Sequence, residues 1–195
     1  MTAVSEKAPD RRTLKTRKAL CDALSELLIQ KPLHKVTVQE IAEKADVNRV
    51  TYYKHYLDVY DLYDKIEQNV LLQISGLMLN LESQPTDSFF EHLIAYIDEN
   101  RTVFRLIFSP NSTGQLQKKF GKLIEGIFRL VASEKQNTAL NSSRLAYQTC
   151  YRSSACIAVI ERWVYADFQE SKEFIVKMLS ELDRNTERFM MQNTE

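Results

Sequence analysis

Five polar side chains between positions 49 and 55 could grip a nucleic acid: Arg49, Thr51, Tyr53, Lys54 and His55. Arginine and lysine donate to phosphates and to base edges. Hydroxyls bond phosphate oxygens, and an imidazole can donate or accept. Val50 stands among them. Such groups can read DNA only if a short, well-anchored helix holds them on one exposed face.

The neighbouring residues predict that helix. Thr37 and Glu40 have the spacing of a capping box, in which each side chain satisfies the other residue's backbone N–H. Val38, Ile41, Ala42 and Ala45 then recur at helical spacing and make one apolar face. Asp46 interrupts at the turn, a residue type that tolerates left-handed backbone better than most. Val47 is the predicted core plug, and Asn48 can cap the next helix. That helix is predicted from Arg49 to Tyr56, with Tyr52 and Tyr56 buried and Arg49, Val50, Thr51, Tyr53, Lys54 and His55 facing solvent. An exposed aromatic and cationic surface on a capped short helix suits the major groove. With the two caps, the candidate DNA-binding residues are Thr37, Asn48, Arg49, Val50, Thr51, Tyr53, Lys54 and His55. Helix-turn-helix geometry also serves as plain packing inside all-helical proteins. Caps, turn, core positions and exposed groups agree here on the DNA reading.

The stretch from Val36 to Leu62, VTVQEIAEKADVNRVTYYKHYLDVYDL, resembles the DNA-binding domain of the TetR family of transcription regulators. That family's pattern runs Thr or Ser, Ile-Ala, Ala-Gly-Val-Ser, Tyr-x-His-Phe, then a Lys and a Leu. This chain has Thr37, Ile41-Ala42, Ala45-Asp46-Val47-Asn48, Tyr53-Lys54-His55-Tyr56, then Val59 and Leu62. The segment from Thr16 to Val38 is similar to the family's first helix and following loop. The resemblance implies that Asn48, Tyr53 and His55 meet phosphates, while Arg49, Val50 and Lys54 face base edges. Three positions depart from the pattern. Asp46 and Val50 stand where Gly is usual or common, and Val59 replaces a Lys that touches a phosphate. Lys54 or the N-terminal Arg and Lys residues could supply that contact instead.

Composition sets the frame. The chain has 195 residues, 44% hydrophobic, with only 4 Gly and 4 Pro, which favours long helices and few loops. Net charge is zero, yet residues 1–56 hold 11 Lys and Arg against 7 Asp and Glu. A basic head on an acidic body fits a DNA reader with a separate regulatory part. Cys21, Cys150 and Cys156 show no CxxC pair or regular spacing, so they read as reduced, buried small apolar residues in a cytoplasmic protein. His34, His55 and His92 have no partner at metal spacing, and neither a metal nor another cofactor is expected. No nucleophile–base pair or Gly-rich phosphate loop suggests an enzyme. The N-terminus has no apolar targeting region, and no run approaches the roughly 18 apolar residues of a membrane span.

The predicted fold class is all-α, with about nine helices. Residues 1–12 read as a flexible basic N-terminal arm, in which Arg11 and Arg12, with Lys15 and Lys18 beyond it, could touch phosphates. Residues 13–57 form the three-helix helix-turn-helix domain. Residues 58–195 form a helical regulatory and dimerisation domain, with a long fourth helix from Asp58 connecting the two. A linker is expected at Ser83–Ser88 and a loop at Ser133–Ser143. Helices are expected from Arg144 to Asp167 and from Ser171 to Met191. The apolar faces of these last two suit a four-helix bundle with a second copy. The resemblance implies that homodimer, and the candidate interface is Ala155, Val159, Trp163, Ile175, Met178 and Leu182. The resemblance also implies a ligand pocket, for which Tyr96, Phe104, Phe108, Phe128, Tyr151, Arg152 and Trp163 are candidates. Each of the aromatics has ordinary core packing as its alternative, and Arg152 has a carboxylate partner as its alternative. The implied function is a repressor released from a near-palindromic double-stranded DNA operator by a small-molecule effector. The alternatives are an activator of the same fold controlled by a protein partner and, more remotely, a helical interaction adaptor.

Overall fold

The computed structural model describes residues 10–79, 86–136 and 142–192, and these residues are arranged as nine helices. They are α1 (Arg11–Gln30), α2 (Val38–Lys44), α3 (Arg49–Tyr53), α4 (Val59–Leu79), α5 (Thr86–Glu99), α6 (Arg101–Phe108), α7 (Gln115–Gln136), α8 (Ser143–Tyr165) and α9 (Lys172–Gln192). A single 3-10 turn, Leu33–Lys35, links α1 to α2. Arg11 and Arg12 belong to α1 and not to a flexible arm, while residues 1–9 of that expected arm lie outside the described residues. The expected linker at 83–88 is helical from Thr86, with 80–85 outside the described residues. The expected loop from Ser133 is helical to Gln136, with 137–141 outside the described residues.

Local chemistry sets the ends that matter for the site. Thr37 Oγ1 accepts from Glu40 N at 3.3 Å, and Glu40 Oε2 accepts from Thr37 N at 3.0 Å, completing the capping box. The Lys31 ammonium also pairs with Glu40. The α2 end is a Schellman turn: Asp46 N donates to Glu43 O at 3.2 Å and Val47 N to Ala42 O at 2.9 Å. Asp46 takes φ 53°, the left-handed conformation predicted for it. Helix α3 stops at Tyr53, short of the predicted Tyr56. There Lys54 N and His55 N turn to the carbonyls of Thr51 and Tyr52, three residues back. Tyr52 and Tyr56 are nonetheless buried as predicted. The Tyr52 hydroxyl donates to Asp58 O at 2.8 Å, and Asp58 Oδ1 accepts from Asp61 N at 2.8 Å, capping α4.

Two apolar cores result. The first gathers Leu20, Leu24, Leu28, Ile41, Tyr52, Leu62 and Tyr63 from α1 to α4. The second gathers α4 to α9 around Phe89, Phe90, Phe104, Phe120, Phe128, Ile160 and Trp163. Leu106 of α6 is fully buried in the first core although its helix belongs to the second half of the chain. Beside it, Ser25 Oγ donates to Thr102 O at 2.8 Å. Ser109 Oγ and Asn111 Nδ2 donate to Leu28 O at 3.0 and 2.8 Å, and Leu33 N donates to Asn111 O at 3.1 Å.

Because Leu106 fills a site walled by α1 and α4 side chains, its truncation leaves a cavity at the junction of the two cores. Leu106→Ala should cost about 2–5 kcal/mol, the usual range for a fully buried leucine. Urea unfolding measures the loss, and amide exchange should show α1 opening before α8.

Candidate nucleic-acid interface

The eight candidate DNA-binding residues are carried by the start of α2, by α3 with its cap, and by the turn that follows it. Val50 is 66% and Tyr53 51% exposed, large apolar surfaces left open among the described residues. Arg49 and Lys54 are exposed, and Thr51 and His55 are half-buried. Asn48 Oδ1 accepts from Val50 N at 2.8 Å, which leaves its amide NH2 as the group able to donate outward. The Thr37 hydroxyl is already engaged by Glu40 at 2.8 Å, so this residue mainly fixes the start of α2. Tyr53 is held edge-on to buried Tyr52, with ring centroids 5.7 Å apart. The phenol is therefore aimed from a fixed base.

His55 has its titration set by place. Partial burial and the charges of Arg17, Lys54 and Lys65 hold its pKa below the ordinary 6.5. A lowered value means a neutral ring at pH 7, with one nitrogen donating and one accepting. Arg17 and Lys65 were not among the residues picked out by sequence. They lie on α1 and α4, at separations from His55 that carry no periodic signal. Leu57, 80% exposed, and Tyr60, 50% exposed, follow α3 in the chain and also escaped it.

The candidate pocket residues divide between a packed core and a small groove. Phe104, Phe108, Phe128 and Trp163 are buried in the second core, each at 2% exposure or less. Their rings pack edge-on, as in Tyr96–Phe104 at 5.9 Å and Phe104–Phe120 at 6.0 Å. Trp163 donates its indole N–H to Glu170 O and stacks edge-on to Phe168, closing the α8 end. Tyr151 and Arg152 do share a groove, with Ala155, Val159, Leu182 and Asp183. It holds about 50 Å³, against roughly 300–1,000 Å³ for small-molecule pockets. Arg152 is not open to an anion. Its Nε and Nη2 donate to the two Asp183 carboxylate oxygens at 2.7 Å each, Glu187 lies at 3.7 Å, and the Phe128 ring is 4.7 Å away.

The candidate dimer residues divide. Ala155 and Leu182 are exposed, and Val159 and Met178 are half-buried. Trp163 and Ile175 sit in the chain's own core at 1% and 5% exposure, so neither has surface to give a second copy. Tyr147 and Tyr151, 79% and 61% exposed, lie on the same helix as Ala155. Of the cysteines, Cys156 is buried as expected, but Cys150 is exposed. Burial pushes the Cys156 thiol up, and the Cys21 thiol up to about 12. No group of three or more metal-ligating side chains occurs among the described residues. None of the described helices is long and apolar enough to cross a membrane.

The chain matches two family models. The model described as bacterial regulatory proteins, tetR family, covers residues 20–64, and the model described as transcriptional regulator C-terminal region covers residues 85–185. No curated protein matches. Among solved structures, the fatty acid degradation regulator FadR from Bacillus halodurans aligns with TM-score 0.67 at 13% identity, over 91% of this chain and 96% of its own. The dihydroxyacetone kinase operon activator DhaS aligns with TM-score 0.58 at 17% identity, over 89% and 97%. NalD, the secondary repressor of the MexAB-OprM multidrug efflux pump in Pseudomonas aeruginosa, aligns with TM-score 0.55 at 18% identity, over 91% and 98%. At such identities the likeness is one of fold.

The Arg152 cluster sets a stability test. Its side chain and that of Asp183 are 3% and 9% exposed. Arg152→Ala strands two carboxylates and should cost about 3–5 kcal/mol. The double variant Arg152→Leu, Asp183→Leu should recover much of that loss. Both follow from denaturant midpoints.

Proposed function

This chain belongs to the TetR family of transcription regulators, and on that premise we propose that it is a dimeric reader of a near-palindromic DNA operator, acting as a repressor released by a small-molecule effector. Regulators of this family bind DNA and act as dimers. The observation that carries the reading is α3: a helix capped by Asn48 and anchored by buried Tyr52, with Arg49, Val50, Tyr53 and Lys54 left uncovered on its outer side. Residues 13–57 would form the reading head and 58–195 the part that dimerises and receives the signal. Ala155, Val159, Met178 and Leu182 would meet a second copy, and two heads related by a twofold axis would meet two half-sites. The protein would work in the cytoplasm, where its DNA is.

A second reading, an activator controlled by a protein partner, is favoured by one observation. The groove beside Tyr151 and Arg152 is small, and the aromatic residues of the second half are packed against each other. A partner that acts on an outer surface needs no preformed cavity. The similar structures include both an operon activator and a repressor, so fold alone favours neither sign.

Selection of bound sequences from a random duplex pool, at physiological salt, tests the DNA reading. A twofold-related motif supports it. No enrichment, alone or with cell extract, sinks it. On the selected duplex, Lys54→Ala should weaken binding by roughly 1–3 kcal/mol through a lost base contact. Tyr53→Ala should weaken it as well. Sedimentation should show both variants with the wild-type oligomeric state, because neither side chain is part of α8 or α9.

A further inference from the structure

The outer side of α3 carries an apolar pair between two cations. Val50 is 66% exposed and Tyr53 is 51% exposed. They are three residues apart, so they share one side of the helix. Arg49 lies four residues before Tyr53, and Lys54 lies four residues after Val50, and both are exposed. Between Asp46 and Asp58 the chain has no acidic residue to offset those charges.

Valine is a poor choice for position 50 on local grounds. Helix α3 is only five residues long, and a β-branched residue lowers helix propensity. Among the described residues Val50 belongs to neither apolar core, so packing does not repay that loss. Its place is nevertheless well fixed. Val50 N donates to the Asn48 Oδ1 cap at 2.8 Å, which sets the backbone in the first turn. A branched side chain in a helix has one strongly preferred χ1, so its methyls are presented with little rotamer freedom to lose. Tyr53 is steadied close by through its edge-on contact with buried Tyr52.

The base edges in a DNA major groove are donors and acceptors, with one apolar exception, the C5-methyl of thymine. We propose that Val50 reads a thymine methyl at one fixed position of each half-site, with the Tyr53 ring beside it and Arg49 and Lys54 meeting polar partners on either side. This contact rests on the reading of the protein as a DNA binder and deepens it by naming the base and the group recognised. The family pattern commonly has Gly at this position, which has no side chain to make the contact, so membership of the family does not imply it. An exposed valine and tyrosine can also be covered by a second protein. The flanking cations and the missing acids favour a polyanion instead.

The probe is the duplex selected from the random pool, bound by the full chain. Each thymine is replaced in turn by deoxyuridine, which removes the methyl and leaves every hydrogen-bonding group in place. Burying one methyl-sized group corresponds to roughly fourfold in affinity. The expected result is one thymine per half-site at which deoxyuridine weakens wild-type binding about fourfold. Val50→Ala should bind the thymine duplex about as weakly as wild type binds the deoxyuridine duplex. At that position it should no longer distinguish the two bases, as a double-mutant cycle requires of a direct contact. Alanine is the better helix former and position 50 is exposed, so folding is not at issue. Equal losses in wild type and Val50→Ala at every deoxyuridine overturn the methyl contact, and so does a selected half-site without thymine. In either case the selected motif still upholds the DNA reading, and the apolar pair is left as a surface for a protein. If no duplex is selected, the contact and the DNA reading fall together.

Discussion

Pro32 leaves a carbonyl without its helical partner, and much of the architecture depends on how that carbonyl is satisfied. Four residues before it in α1 stands Leu28, whose oxygen would accept the N–H of residue 32 if that residue had one. Ser109 Oγ and Asn111 Nδ2 fill the gap. Both come from the turn that follows α6, in the other half of the molecule. An orphaned buried carbonyl costs roughly 1–3 kcal/mol, so the two halves are held together by a requirement of α1 itself. Leu106 and the Ser25–Thr102 bond extend the same seam. The N-terminal head, α1 to α3, is thus set against α6 by polar groups with fixed geometry.

A second connection runs through α4. Its start is fixed in the head by Asp58, Val59 and Leu62, and its later residues Val70 and Ile74 lie in the second core. Lys119 of α7 pairs there with the buried carboxylate of Glu67. The head therefore meets the rest of the chain along two helices, α6 and α4. A shift of α6 relative to α4 cannot be absorbed by the first core, because Leu106 and Leu62 share that core. Such a shift would bear on α1 to α3, whose residues line the same core.

What the sequence revealed is local in origin. The Thr37 capping box, the left-handed Asp46 and the Asn48 cap are each written within four residues, and the helical period placed Tyr52 and Tyr56 inside. What it hid is set by distant partners. Asp183 lies 31 residues from Arg152, and no spacing rule connects them. The Leu28 carbonyl meets side chains 81 and 83 residues away. Apolar residues on α8 and α9 could be sorted into buried and exposed only by the packing of α5 and α7 around them. Trp163 and Ile175 went inward, while Leu182 stayed outside. The aromatic set was a candidate pocket lining only because the family resemblance implies a pocket, with core packing as its alternative, and the edge-on pairs among Phe104, Phe108 and Phe120 are core packing.

That filled core constrains any signal the protein receives. A small molecule entering between Phe104 and Phe120 must separate rings in van der Waals contact, and its own burial must exceed the packing it disrupts. Such a ligand would move α6 directly, because Phe104 and Leu106 are two residues apart on that helix and face the two different cores. A ligand or partner acting at the α8–α9 groove meets a different obstacle. There Arg152 is already satisfied by Asp183 and Glu187, so an incoming anion must replace two carboxylates at once. A change at that groove that keeps the ion pair whole must move α8 and α9 together. Its effect on the head would pass through α5 and α6, the elements that join α9 to the Leu28 seam.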